Sequence, residues 1–507
     1  MKIITAILIT LATIGLSKTK EAGSSDSSPP QSKRHIVFIL TEDQGPDLGC
    51  LGTKGLDTPN IDVLGQSGVI FEKAFALSPV CSPSKMALFT GTYPHTNSAY
   101  RNVRNYGVNF PLKGDPSDLR LGGVHEDLPT LIEILRKAGW HTAISSKSHV
   151  QPIRKFPYHQ GHPNPGTPAA AAKVIQNTFR AAGDRPVFLC FNVGSPHLPF
   201  RALPRANGVW DPKGGLLGDG GVTNVDPASI EVPNSMPDVP GVRQDWADYY
   251  GSIEVVDSLF GTVQSSLADL GLTDKTLLVF SSDHGIGLHR FKQSIYGLQV
   301  PLLIDGPNVE GNRRISEPVS HFDLAPTFLD FAGIETPASM GGKSLLPILS
   351  GKEKTTNRKT VLTACHERYD ARAVCDGRYY FVRNLRQVEG ATLAQPAKAL
   401  NADQFQGGKP WFNRAYDATV AATGSPQRKL LKDLVEGKLP DTELYDLEND
   451  PWCANNLADK PALAPVIDRL KKEMTQWRAS THDYQESPKE MKRRGFSTPQ
   501  QQKGSPR

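Results

Sequence analysis

The sequence predicts an α/β fold: a large, mixed but mostly parallel sheet flanked by helices, followed by a smaller α+β domain. Short β-branched runs bounded by turn residues alternate with amphipathic stretches, as in proteins whose helices cover both faces of a sheet. After about residue 355 the apolar runs become shorter. The 507 residues are enough for one large domain and one smaller domain.

Five apolar runs predict the strands of the large sheet, at residues 35–40, 141–146, 186–193, 276–282 and 300–304. Apolar residues spaced three and four apart predict two covering helices, at residues 128–138 and 246–270. Together these elements predict a larger domain over residues 35–355.

Shorter runs predict the second domain, with strands at residues 360–364, 378–385 and 443–447 and a helix at 462–478. They indicate a C-terminal subdomain over residues 356–485, built from an antiparallel sheet and a helix. The charged tail at 486–507 is predicted to be disordered.

The N-terminus has the pattern of an export signal. Lys2 precedes an apolar run that is too short to span a bilayer, and a Ser/Pro-rich stretch follows at residues 24–32. We expect a signal peptide at 1–20 and a linker at 21–34, and the alternative is a buried first strand or helix. The expected location is periplasmic or secreted, or lysosome-like in a eukaryote, with no stable membrane span.

The charge balance is only mildly basic, at +5. No dense arginine or lysine run with interleaved aromatic residues occurs, so nucleic acid is not an expected partner. The positive balance suits an anionic substrate and a solvated surface equally well.

Six cysteines stand at positions 50, 81, 190, 365, 375 and 453. None belongs to a C-x-x-C pair of the kind that binds zinc. If Cys81 is consumed by chemistry, the remaining five allow at most two disulfides in an oxidising compartment. Cys365 and Cys375 are closest in sequence, but the pairing stays open.

Polar residues directly follow four of the predicted strands, where the chemistry of a parallel α/β sheet gathers. They are Glu42 with Asp43, Lys147 with His149, His197, and Asp283 with His284. An isolated acidic pair of this kind is usually a surface or capping pair. Its position after a buried strand favours a functional site instead.

Residues 81–91 read C-S-P-S-K-M-A-L-F-T-G. This segment resembles the signature of the type I sulfatases, in which the cysteine is converted by a formylglycine-generating enzyme to Cα-formylglycine. Every fixed position agrees except that Lys85 stands where the signature has arginine. The resemblance extends from about residue 35 to 480 and implies the alkaline-phosphatase-like fold of that family.

The resemblance also implies a cation site and a set of catalytic side chains. The metal ligands would be Glu42, Asp43, Asp283 and His284. The carboxylate oxygens of this set favour Ca²⁺, with Mg²⁺ as the alternative. Glu42 stands where most members have aspartate. The catalytic groups would be Cys81, Lys85, Lys147, His149, His197 and Lys292, because sulfate hydrolysis calls for fixed cations and a general acid.

Within the family, the sequence is most similar to the N-sulfoglucosamine sulfohydrolases, or heparan N-sulfatases, and their bacterial relatives. The segment C-H-E-R-Y-D-A-R-A-V at 365–374 carries part of this likeness. His366, Glu367 and Arg372 would bind a sulfated glycosaminoglycan sugar, although ordinary loop polarity also explains them.

Three other functions remain open from the sequence. Lys292 replaces an arginine of the animal sulfamidase, which is compatible with an O-sulfatase acting on another sulfated polysaccharide. A phosphatase or phosphonate hydrolase of the same fold is disfavoured by the C-S-P-S-K segment. Lys85 is the one feature that favours a glycan-binding pseudoenzyme that never receives the aldehyde.

Overall fold

The computed structural model describes residues 34–103, 123–197, 225–236, 238–286, 295–365, 370–386 and 440–483. Three predicted site residues, Lys292, His366 and Glu367, lie outside these ranges, as do the predicted signal peptide and the tail at 486–507. The same holds for the predicted linker except Arg34.

The strands of the described residues, numbered in chain order, are β1 His35–Thr41, β2 Val69–Phe71, β3 Ala74–Phe75, β4 His141–Ser145, β5 Gln160–His162, β6 Val187–Asn192, β7 Thr276–Ser282, β8 Gln299–Val300, β9 Leu302–Asp305, β10 Arg313–Ile315, β11 Val319–Ser320, β12 Val361–Cys365, β13 Asp370–Cys375, β14 Tyr379–Arg386 and β15 Thr442–Asp446. The helices are α1 Pro59–Ser67, α2 Cys81–Thr90, α3 Pro94–Asn97, α4 Leu131–Lys137, α5 Pro168–Ala182, α6 Pro240–Asp269, α7 Leu324–Phe331, α8 Leu346–Leu349 and α9 Ala464–Ser480.

An eight-stranded sheet has the order β10-β2-β9-β7-β1-β6-β4-β5. Strand β1 lies at its centre, parallel to both β6 and β7. Only β9 runs against its neighbours β2 and β7. The predicted mixed, mostly parallel sheet is therefore confirmed.

Both faces of this sheet are buried under helices. Successive residues of β1 alternate between two hydrophobic clusters, so that Val37 packs in one and Phe38 in the other. The first cluster includes Ile253 of α6, and the second includes Phe328 of α7. This two-sided burial explains why β1 reads as a continuous apolar run rather than an alternating one.

The predicted strand at 300–304 is interrupted at Pro301, which has no backbone N–H to donate to a ladder. The segment divides into β8 and β9. Strand β8 joins a separate sheet of order β11-β3-β8, whereas β9 stays in the large sheet.

The smaller α+β part contains an antiparallel sheet of order β12-β13-β14-β15. Phe381 of β14 and Val374 of β13 pack with Leu470 and Trp477 of α9. This arrangement confirms the predicted second sheet and helix, while the domain limits at 356–485 stay a prediction.

The register of β12 and β13 separates the two cysteines that are closest in sequence. Cys365 lies opposite Ala371, whereas Cys375 lies opposite Val361. Four residues of strand correspond to roughly 13 Å, well beyond the roughly 7 Å limit on the Cα separation of a disulfide. These two cysteines therefore do not form a disulfide in this fold.

Across the described ranges, none of the helices has both the length and the apolar character that crossing a membrane requires.

Candidate active site

The candidate site lies at the carboxyl ends of the neighbouring strands β1 and β7. Thr41 pairs with Ser282 at the last position of the two strands. The backbone N–H of Asp283 donates to the Thr41 carbonyl at 2.9 Å, and that of Asp43 donates to Asp283 Oδ1 at 3.0 Å. Two residues 240 positions apart are thus held side by side, as the strand-end pattern predicts.

Cys81 is the first residue of α2, and its sulfur lies beside the residues that follow β1 and β7. Its Sγ lies 3.2 Å from His284 Nε2 and 3.7 Å from Asp43 Oδ1. Helix α2 is buried at every residue. It has no solvent-exposed face, so its polar and apolar residues do not segregate into a helical pattern in the sequence.

A second segment fixes the first turn of α2. Asn102 Oδ1 accepts the backbone N–H of Ser82 at 3.0 Å, and Ser82 Oγ accepts the N–H of Val103 at 3.1 Å. Asn102 thus caps the helix in place of its own N-cap residue Val80, whose side chain cannot accept a hydrogen bond. Sequence analysis missed Asn102 because it lies some twenty positions from the helix that it caps.

Four side chains, here called the donor cluster, are buried together: Asp43, Cys81, Asp283 and His284. One ligand atom from each lies within 4.8 Å of all the others. Asp283 Oδ2 is buried and accepts no hydrogen bond. His284 directs Nδ1 to the Gly285 carbonyl at 2.8 Å, which leaves Nε2 facing the cluster. The Lys85 ammonium lies 3.6 Å from the same oxygen. These residues fit a bound cation, because two buried carboxylates and an imidazole nitrogen surround one point and burial of a carboxylate is costly unless positive charge compensates it.

Electrostatics of the donor cluster also favour a cation. Burial, together with the charge of Glu42, raises the pKa of Asp283. Burial lowers the pKa of His284, but the carboxylates of Asp283 and Asp43 override it and hold that pKa well above its ordinary value. The carboxylates therefore create a negative potential that stabilises positive charge at this point, whether a proton on His284, the Lys85 ammonium or a bound cation.

The side chain of Glu42, predicted to be a metal ligand, pairs with lysines in the structure. Its Oε1 contacts Lys85 Nζ, and its Oε2 lies 2.6 Å from Lys147 Nζ. Burial raises the pKa of Glu42, but the two ammonium groups hold it well below its usual range. Both described partners of its side-chain carboxylate are thus lysines, and its role as a metal ligand stays a prediction.

Lys147 joins the site from the end of β4. Its backbone N–H donates to Asn192 Oδ1 at 3.2 Å, and Asn192 Nδ2 donates to the Leu40 carbonyl at 2.7 Å. Burial lowers the pKa of Lys147, but the surrounding anionic groups, Glu42 among them, raise it well above its ordinary value. Asn192 was missed, although a polar residue ending the buried run V-F-L-C-F-N was a usable signal.

The two predicted catalytic histidines differ in exposure. His149 is buried, its Nδ1 has no hydrogen-bond partner, and burial with the charges of Lys147 and Lys85 lowers its pKa to about 3. His197 is 39% exposed, with Nε2 4.0 Å from Asp43 Oδ2. The structure thus brings both beside the groups at the ends of β1 and β4.

Arg372, which was predicted to bind substrate, is buried in β13 and contacts Asp483, which follows α9. Its Nε and Nη2 donate to the two carboxylate oxygens of Asp483 at 2.6 and 2.8 Å, and Nη1 donates to the Ala371 carbonyl at 2.9 Å. The guanidinium is thus engaged by protein groups, and its contact with substrate stays a prediction.

A mostly parallel sheet with a buried sulfur, two carboxylates and an imidazole at its strand ends is the arrangement that the resemblance to hydrolases of the alkaline-phosphatase-like fold implies. The family model described as sulfatase matches residues 34–334, more than half of the chain. The chain therefore belongs to the sulfatase family. A second model, described as the C-terminal part of N-sulphoglucosamine sulphohydrolase, matches residues 284–391. The resemblance drawn from the sequence is confirmed.

Relatives of known activity cover nearly the whole chain. An ulvan-active sulfatase of Formosa agariphila is 27% identical over 499 residues, spanning 93% of this chain and 86% of its own. The human N-sulphoglucosamine sulphohydrolase is 26% identical over 479 residues, spanning 89% and 91%.

The fold is shared with a solved structure that holds its substrate, D-glucosamine-2-N,6-O-disulfate. That structure superposes with a TM-score of 0.60 at 17% identity and covers 89% of this chain and 99% of its own. At this identity, the likeness shows the fold alone.

Proposed function

We propose that this sulfatase hydrolyses a sulfate group on a glycosaminoglycan-type sugar, with N-sulfated glucosamine as the first candidate substrate. The observation that carries the proposal is the position of Cys81 Sγ, buried at the start of α2 within 3.2 Å of His284 and 3.7 Å of Asp43. A nucleophile at that point contacts two of the proposed metal ligands.

The proposed site needs two groups that the chain acquires. Formylglycine made from Cys81 would supply a hydrated aldehyde with two hydroxyls, the first as the nucleophile toward sulfur and the second as the group whose deprotonation allows sulfate to leave. Ca²⁺ would supply positive charge that holds the sulfate oxygens and favours the deprotonated nucleophile. Asp43, Asp283 and His284 would hold this cation, and Glu42 is kept as a further candidate ligand.

The remaining side chains have roles that follow from charge and position. Lys147, held by the Glu42 carboxylate at 2.6 Å, balances negative charge on the sulfate oxygens. His149 is neutral near pH 7, since burial and the charges of Lys147 and Lys85 lower its pKa to about 3. As the proposed acceptor of the proton whose loss releases sulfate, it requires the negative charge of the bound sulfate to raise that pKa. His197, or Lys292, assists the leaving nitrogen or oxygen.

Two substrates are supported by different relatives. The match to the C-terminal model of N-sulphoglucosamine sulphohydrolase favours the N-sulfated sugar. The similar identity to an ulvan-active sulfatase favours a second candidate, an O-sulfatase acting on another polysaccharide. We further propose that the protein is exported, on the basis of the apolar run and the Ser/Pro-rich stretch at its N-terminus.

The test uses protein produced together with a formylglycine-generating enzyme. The mass of the Cys81 peptide reports the aldehyde, and sulfate release is then measured from N-sulfated and O-sulfated glucosamine, with a phosphate monoester in parallel. Release from the N-sulfated sugar supports the first candidate, and release from the O-sulfated sugar alone supports the second. Turnover of the phosphate ester alone contradicts both.

Two variants complete the test. Cys81→Ala is expected to abolish sulfate release while the protein stays folded, and Cys50→Ala, at a half-buried cysteine outside the donor cluster, is expected to retain it. If Cys81→Ala keeps most of the activity, the proposed mechanism is wrong.

A further inference from the structure

While residue 81 is a cysteine, the donor cluster includes a sulfur and a nitrogen, which are not the oxygen ligands that Ca²⁺ prefers. Ca²⁺ and Mg²⁺ take oxygen ligands, whereas imidazole nitrogen and thiolate sulfur suit Zn²⁺ and similar first-row divalent ions. The cluster offers one sulfur, one nitrogen and carboxylate oxygens from two residues. Four donors of this kind are the number and the types that zinc uses in proteins.

The spacing of these donors suits a small cation. His284 Nε2 lies 3.1 Å from Asp43 Oδ1, 3.2 Å from Cys81 Sγ and 4.0 Å from Asp283 Oδ1. Zinc binds nitrogen and oxygen at about 2.0–2.2 Å and sulfur at about 2.3 Å, which places tetrahedral neighbours roughly 3.3–3.8 Å apart. The observed separations scatter around that interval, so an ion can be bound with small side-chain movements.

The surroundings of the cluster prepare it for an ion in two independent ways. The hydrogen bond from His284 Nδ1 to the Gly285 carbonyl, at 2.8 Å, selects Nε2 as the atom that faces the other donors. Such outer partners orient metal-bound histidines and are nearly universal among them. Asp283 Oδ2 is fully buried and accepts no hydrogen bond, and the Lys85 ammonium approaches it only to 3.6 Å, so this oxygen keeps acceptor capacity for a bound ion.

We infer that the unconverted form of this protein, in which residue 81 is still cysteine, binds a divalent ion of the zinc class through the donor cluster. Binding displaces the proton of Cys81 Sγ and any proton on His284 Nε2, both of which pass to solvent. Conversion of Cys81 removes the sulfur and replaces it with oxygen, so the same cluster then presents a harder donor set. The oxidation state of residue 81 would thus select the metal.

Zinc binding by the thiol form goes beyond the proposed function and does not depend on it, whereas the change of metal preference on conversion rests on the proposed function. The test uses the full chain produced without a formylglycine-generating enzyme, with the Cys81 thiol verified by mass and metals removed by a chelator. Co²⁺ is titrated as a spectroscopic probe, followed by competition with Zn²⁺ and with Ca²⁺. No hydrolysis is measured.

The expected result is a sulfur-to-cobalt charge-transfer absorption and the intense visible absorption of four-coordinate Co²⁺, both abolished by Zn²⁺ and not by Ca²⁺. Cys81→Ser should remove the charge-transfer absorption and weaken Zn²⁺ binding at least about 100-fold, the upper end of the loss caused by an outer partner. His284→Asn should weaken Zn²⁺ binding but not Ca²⁺ binding. Cys50→Ser, at a half-buried cysteine outside the cluster, should keep the wild-type spectrum.

X-ray absorption on the Zn²⁺-loaded wild-type chain keeps the inference testable if a variant does not fold. One sulfur neighbour at about 2.3 Å, with nitrogen and oxygen neighbours at about 2.0–2.2 Å, is expected. The inference is wrong if that sulfur neighbour is absent. It is also wrong if the charge-transfer absorption survives in Cys81→Ser, or if Ca²⁺ competes as well as Zn²⁺. Failure of Cys81 to form the aldehyde would instead count against the proposed function and leave this result standing.

Discussion

The ammonium of Lys147 lies 2.6 Å from Oε2 of Glu42, while Lys85 contacts Oε1 of the same carboxylate. Glu42 and Lys85 are both nearly inaccessible to solvent. They are also two positions at which the sequence departs from the sulfatase pattern, with glutamate in place of aspartate and lysine in place of arginine. The two substituted positions are therefore in direct contact. Glutamate is longer than the aspartate of the pattern, and lysine is shorter than its arginine, so the longer Glu42 compensates for the shorter Lys85.

Glu42→Gln is expected to lower the free energy of unfolding by about 3 kcal/mol. The change leaves two lysine charges near Asp283 without their shared buried counter-charge, and removal of one member of a buried ion pair typically costs this much. Urea unfolding of the unconverted, metal-free chain measures it. Glu231→Gln is the control, because Glu231 pairs with Lys54 at 2.9 Å on the surface, and its loss should cost at most about 1 kcal/mol. Equal effects of the two changes would contradict the prediction.

The contact between Glu42 and Lys85 predicts that substitutions at these two positions are energetically coupled. Glu42→Asp alone shortens the acid, and Lys85→Arg alone forces a larger group into a side-chain site that is 1% exposed. The double variant should be more stable than the sum of the single changes predicts, by about 1–3 kcal/mol, as found for residues in one ion-pair network. A double-mutant cycle by urea unfolding measures this coupling. Additive effects would show that the contact has no energetic consequence.

The sequence predicts the central strands and the meeting of Asp43 with Asp283, because β1 and β7 are long apolar runs whose ends are marked by polar residues. It does not predict β2, because three residues are too short to establish a period. The contact of Glu42 with Lys85 also escapes prediction. It joins positions 43 residues apart, and it depends on rotamers that only the packed site determines.

Asp483→Asn is expected to destabilise the protein by about 3 kcal/mol, because it leaves the buried guanidinium of Arg372 without its bidentate carboxylate and also weakens the contact of Arg478 Nε at 3.0 Å. Asp238→Asn is the matched control. Asp238 also receives two hydrogen bonds from one arginine, Arg243, but its side chain is 58% exposed. Its loss should cost less than about 1 kcal/mol. Comparable losses in both variants, by urea unfolding at pH 7, would contradict a structural role for Arg372.

The same ion pair predicts a pH dependence. Burial raises the pKa of Asp483, but the hydrogen bonds and charge of Arg372 hold it below its ordinary value. The stabilisation is therefore complete above the unfolded-state pKa of about 3.9 and is lost as pH falls through the lower folded-state value. The difference in stability between wild type and Asp483→Asn should shrink as pH is lowered below about 4. A constant difference from pH 7 to pH 3 would argue against the ion pair.

His95 joins the α3 region to the end of α9 and predicts a second pH dependence at higher pH. Its Nε2 lies 2.9 Å from Thr481 Oγ1, and its ring stacks on Tyr93 and meets Trp477 edge-on. Burial lowers the pKa of His95 to about 4, although the nearby Asp483 charge acts in the opposite direction. The native state therefore holds the imidazole neutral where an unfolded chain would already protonate it.

The unfolded chain takes up this proton near pH 6.5 and the folded chain only near pH 4, so stability falls as pH drops through that interval. The loss attributable to His95 is about 3 kcal/mol by pH 4. His95→Gln retains a hydrogen-bonding side chain that cannot titrate, and its unfolding free energy should decline less than that of wild type between pH 7 and pH 4.5. His125→Gln, at an exposed histidine that contacts Ser98, controls for the loss of an imidazole. Parallel declines in wild type and His95→Gln would show that His95 is protonated in the native state without cost.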